Sequence, residues 1–181
     1  LQAGIATLPI TVIMLLFSSR AAVLAARTGP RFPMAFGPMI CAAGVVLLAL
    51  IGRHASYAGH VFPGMLLFAV GLTTLVPPLT TAVLAAAPDR HAGVASGINN
   101  AVARAGSLLS VAALPALVGL SGADYQDPAA LTDGFRHALL LCAALLVAAF
   151  VQSILPGLRD SAGWLAALHP VNALLVFGLS V

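Results

Sequence analysis

Neither lysine nor glutamate occurs in this chain of 181 residues, and charged side chains make up only 7% of it. Soluble domains carry roughly 25% charged residues, so a water-soluble globule is excluded. The eight Arg and five Asp leave a net charge of +3, yet the Arg residues stand singly between apolar runs. Nucleic-acid binding needs Lys or Arg gathered on one face, and no such patch exists, so nucleic acid is not a partner. Cysteine is equally scarce. Cys41 and Cys142 sit far apart inside apolar stretches, where a thiol behaves as a small hydrophobe, and no disulfide framework is suggested.

The lack of glutamate also restricts chemistry. A His-Glu-x-x-His metalloprotease motif is impossible. Gly93-x-x-Ser96-Gly97 is not the Gly-x-Ser-x-Gly elbow of serine hydrolases. His54, His60, His91 and His137 fall at the ends of apolar runs and His169 lies in the last one, so neither a metal site nor a cofactor is expected. The reading is a non-enzyme.

What the chain does have is hydrophobicity: 61% of its residues are apolar, with a mean hydropathy of +1.06. A bilayer core about 30 Å thick needs about 20 apolar residues per helix. Runs of that length predict spans near 4–25, 34–52, 61–87, 93–120 and 137–157, with a sixth segment at 162–181 that either spans or lies on the surface. The fold class is therefore an all-α, polytopic transmembrane helix bundle whose first partner is the lipid bilayer. No signal-peptide pattern precedes the first run; the chain does not open with Met, and a fragment is expected.

Positive charge orients the bundle, because cytoplasmic connections retain Arg. Arg20, Arg27, Arg31, Arg90 and Arg159 fall on one side, whereas Arg53 and Arg136 fall on the other. Connections one, three and five are thus cytoplasmic. The fourth, about Ser121 to Arg136, reads as a long external loop.

Two stretches within the spans carry polarity. Ser96, Asn100 and Arg104 recur at i, i+4 and i+8, so they share one helix face, with Asn99 and Ser107 beside them. An Arg at mid-span costs about 2.5–3.5 kcal/mol on the insertion scale, which turns this stripe toward protein or water. It lines a functional cavity or braces neighbouring helices, and Arg104 alone has the further option of snorkelling to the interface. Gly93, Gly97, Ala101 and Ala105, followed by Gly106, make a small-residue packing face. In the third run, Pro77 and Pro78 remove two amide donors, which predicts a bend or break, with Thr73, Thr74, Thr80 and Thr81 available to cap freed carbonyls. Such a helix either lines a binding site or carries a fixed packing kink. All five Asp lie in connections, so any intramembrane coupling carboxylate lies elsewhere.

In order, these features resemble the major facilitator superfamily, and within it the fourteen-helix drug:proton antiporter branch of multidrug exporters. Leu1 to Pro9 is similar to a family helix start. Leu24-Ala25-x-Arg27-x-Gly29-x-Arg31 resembles the second copy of the family's cytoplasmic loop motif, with Ala22 where that motif has Gly. Gly93 to Gly106 is similar to the penultimate-helix signature and is the most specific piece.

The resemblance implies that residues 1–160 are a partial C-terminal half beginning at its second helix, and that 161–181 are an extra apolar segment. It implies alternating access against a missing N-terminal half that holds the coupling carboxylate, and proton-coupled efflux of hydrophobic or amphiphilic small molecules across a bacterial inner membrane. Arg20, Arg27, Gly29 and Arg31 would form the loop that stabilises one access state. Ser96, Asn99, Asn100 and Arg104 would line or brace the cavity, together with Thr73, Thr74, Pro77 and Pro78. The competing expectation is a non-transporting membrane scaffold or subunit.

The charge-based orientation makes a direct prediction. In intact cells an impermeant maleimide labels Ser121→Cys but reaches Arg90→Cys only after permeabilisation; the opposite pattern would invert the topology.

Overall fold

The structure, a computed structural model, describes residues 2–29, 31–52, 56–85 and 87–154. Arg53, Arg159 and Asp160, and the segment 161–181 with its domain boundary, lie outside the described residues.

Five long helices account for nearly all of it: α1 (Gln2–Thr28), α2 (Arg31–Ala49), α3 (Phe62–Ala85), α4 (Ala92–Leu117) and α5 (Pro128–Ile154). All five are long and apolar enough to cross a membrane. In a bilayer every backbone amide must be satisfied within the segment, which is why apolar runs of this length become helices. The protein is an all-α transmembrane helix bundle.

Local chemistry sets the helix ends. Gly29 adopts φ +86° just past α1, the left-handed conformation in which glycine terminates helices. Gly119 does the same after α4 at φ +76°, and the Leu120 amide donates back to the Pro115 carbonyl at 2.9 Å. The fourth connection is shorter than the sequence predicts. Asp127 accepts the Ala129 amide at 2.8 Å, and Pro128 occupies the first helical position, where its missing N–H costs nothing. So α5 begins at Pro128 and carries the exposed Thr132, Asp133, Arg136 and His137 as a polar first section that apolar counting assigns to a loop.

The tightest contact is the crossing of α2 and α3. A Cβ added at Gly44 would lie 2.6 Å from the Phe68 amide nitrogen, and one at Gly71 would lie 2.6 Å from that of Cys41. Gly37 and Gly64 are closed in the same way by Leu75 and Leu48. The backbones therefore touch, and the Cys41 thiol donates across the crossing to the Phe68 carbonyl at 3.7 Å. Close approach of this kind replaces the hydrophobic drive that helices lack inside lipid.

On its other side α2 packs against α5. Cys41, Ala42, Val45 and Ala49 of α2 join Phe68, Leu72 and Leu75 of α3 and Leu139, Cys142, Ala143 and Leu146 of α5 in one buried core. Phe36 adds a tilted ring contact to Phe150 at 5.9 Å. α1 lies against α3 and touches α2 at few positions. α4 touches α3 and α5 at few positions, and only Gly106 and Ser110 among its described residues are buried.

If the glycines set the crossing, Gly44→Val and Gly71→Val overpack it and cost about 1–3 kcal/mol. Heating in detergent with a thiol-reactive dye reads this as earlier exposure of Cys41 and Cys142, while Gly97→Val, which meets nothing within 4 Å, melts like the parent.

Candidate functional site

A groove lies between α1 and α3. α1 contributes Ile13, Phe17, Ala21 and Leu24, spaced to share one face. α3 contributes Leu66 and Val70, followed by Thr73 and Thr74. The cavity between them holds about 520 Å³, a size within the roughly 300–1,000 Å³ of small-molecule sites.

Arg20 is the one charged side chain among the described residues lining this groove. Its guanidinium carbon stands 5.5 Å from the centre of the Phe17 ring, within cation–π range. Both side chains are exposed, and the guanidinium's N–H groups remain able to donate. Along α1, Arg20 lies about 12 Å from the helix end at ~1.5 Å per residue, within reach of the interface for a side chain this long. A second hollow of about 340 Å³ adjoins it along α1, lined by Ser19, Arg20, Val23, Leu24 and Arg27. Arg27 lies in the last turn of α1, where a cation meets the negative end of the helix dipole.

The threonines act differently from the sequence expectation. Thr73 donates to the Ala69 carbonyl at 2.7 Å and Thr74 to Val70 at 2.8 Å. Thr80 and Thr81 likewise donate to Val76 and Pro77. Each hydroxyl bonds four residues back, as threonine in a helix does. The carbonyls freed by Pro77 and Pro78 are those of Thr73 and Thr74, and none of the four hydroxyls goes to them. Capping them this way would need Ser or Thr at 77 and 78, where the prolines stand. The α3 helix runs unbroken through both prolines. With their protons committed, Thr73 and Thr74 offer the groove only lone pairs, so donation falls to Arg20.

The structure thus brings Arg20, Thr73 and Thr74 together in one groove and places Arg27 in the hollow beside it. Pro77 is half-buried and Pro78 buried one turn further along α3. Gly29 ends α1 and Arg31 begins α2. The α4 residues are elsewhere: Ser96, Asn100 and Arg104 are exposed, Asn99 is half-buried, and none of them lines the groove. Gly93 and Gly97 meet nothing within 4 Å, and Gly106 is buried. The residues that sequence spacing did not single out are the groove's apolar walls and Phe17. Their i, i+4 spacing on α1 was readable, but nothing in it distinguishes a groove wall from a lipid-facing surface. No group of three or more His, Cys, Asp or Glu that could hold a metal occurs among the described residues.

No family model matches the chain, and no solved structure matches it. Over 111 residues, 61% of its length, the chain is 32% identical to the multidrug resistance protein Stp of Mycobacterium tuberculosis, in strain CDC 1551 and in strain ATCC 25618/H37Rv alike. It spans about a fifth (20%) of the length of these relatives. The five apolar helices and this similarity together mark an integral membrane protein related in sequence to a multidrug resistance protein.

Proposed function

We propose that the chain is part of a secondary-active membrane transporter that exports hydrophobic or amphiphilic small molecules from a bacterial cell by alternating access, with proton coupling. On this reading residues 1–160 belong to the C-terminal half of a drug:proton antiporter of the major facilitator superfamily, and 161–181 are an added apolar segment. The N-terminal half is the partner that brings the coupling carboxylate, because the described carboxylates all lie in connections or in the polar first turns of α5. The protein is then a transporter and not an enzyme.

The observation that carries the proposal is the α1–α3 groove. Its walls are apolar, it carries one cation, Arg20, and it opens between α1 and α3 of this chain, as a transported amphiphile requires. Support comes also from α4. A mid-span Arg exposed beside Ser96 and Asn100 is costly against lipid, and a second half of the transporter would cover that face. Gly93 and Gly97 would let its helices approach closely. Arg27 and Arg31, flanking Gly29, would hold one access state through contacts at the cytoplasmic surface.

The test is accumulation of a lipophilic dye in drug-sensitive bacteria expressing the chain joined to the remainder of its reading frame. Expression lowers accumulation, a protonophore restores it, and Arg27→Ala weakens efflux about tenfold, as loss of one charge-assisted contact worth about 1.5–3 kcal/mol would. Unchanged accumulation with the protein present in the membrane would leave a scaffold in place of a transporter.

A further inference from the structure

The apolar groove presents one polar group able to donate, and that group is cationic. Thr73 and Thr74 have spent their hydroxyl protons on Ala69 and Val70. Arg20 makes no ion pair with any described carboxylate, and Asp89, Asp124, Asp127 and Asp133 all lie in connections or in the polar start of α5. A lipophilic cation entering this groove would meet a like charge and no counter-charge. An anionic head would meet a guanidinium, whose planar fork suits carboxylate, sulfate or phosphate oxygens.

We infer that the α1–α3 groove selects single-chain amphiphiles bearing a negative head group, the head on Arg20 and the tail along the apolar walls. The inference rests on the groove being the transporter's ligand site. From Arg20 back to Ile13 the groove follows α1 for about 10 Å at ~1.5 Å per residue, room for the head-proximal part of one alkyl tail. Its volume of about 520 Å³ takes one chain; a two-chain phospholipid would leave a tail outside. Arg27, one hollow further along α1, adds positive charge on the path by which the head would enter. The resistance phenotype named for the relative says nothing of ligand charge, so this selectivity comes from the residues here.

The whole chain, reconstituted in phosphatidylcholine nanodiscs, is irradiated with three probes that share a hexadecyl tail bearing a mid-chain diazirine: the carboxylate, its methyl ester and the trimethylammonium. Adducts are mapped by mass spectrometry. The carboxylate labels α1 and α3 along the groove about tenfold more than the ester or the ammonium, the ratio expected when a charge-assisted hydrogen bond is lost. Arg20→Lys keeps most of that preference and Arg20→Gln abolishes it; both leave the exposed surface intact, so folding does not confuse the result.

Equal labelling by all three probes would overturn the charge selectivity while leaving the groove as a ligand site. Labelling absent from α1 and α3 with every probe would remove the groove as a site and the proposed function's main support with it. If a few mole per cent phosphatidylglycerol displaces the carboxylate from the groove, the occupant is a membrane lipid and the amphiphile assignment falls.

Discussion

Backbone contact between α2 and α3 is the constraint on which the rest of the bundle depends. Helices in lipid gain nothing from hiding apolar surface, since the solvent is apolar too. They gain from dispersion between closely fitted surfaces, and four glycines allow two backbones to meet here. That contact makes α2 the hub. Its opposite face is then free for α5, and the shared core of small and medium side chains forms between them. α1 packs against α3, and the groove lies between these two helices.

Much of this architecture was legible because the bilayer imposes a length and a composition. The five spans follow from apolar runs, and their ends shift mainly where cap chemistry overrides hydropathy. Asp127-Pro128 starts α5 well before the apolar stretch, so Thr132 to His137 became helix although their polarity suggests a loop. The packing glycines were harder. Gly93 and Gly97 stand four apart and read as an interface, whereas Gly37, Gly44, Gly64 and Gly71 sit seven apart on each helix and carry the crossing. Spacing identifies a smooth face but does not say which helix lies against it. That depends on the three-dimensional pairing.

The site was half legible for the same reason. Arg20, Thr73 and Thr74 attract notice as polar residues inside apolar runs, but their meeting across α1 and α3 is tertiary information. The hydroxyl bonds of α3 are local, and sequence could have given them: threonine in a helix reaches four residues back, and the carbonyls freed by Pro77 and Pro78 lie opposite proline positions. The α4 stripe shows the reverse case. Its periodicity is plain in sequence, yet its partner is not among the described helices. A face with Ser96, Asn100 and Arg104 exposed is costly against lipid, and covering helices would remove that cost, which is the physical content of the proposed second half.

α1, α2, α3 and α5 form a fixed unit, and α4 is held at its edge with a polar face open to further helices. Spin-label pairs in lipid nanodiscs test it directly, one between Leu47 on α2 and Val147 on α5, another between Leu47 and Leu109 on α4. The account predicts a narrow distance distribution for the first pair and a broad one for the second. Equally narrow distributions would contradict it, because α4 would then be seated by contacts within this chain and its polar face would need no partner.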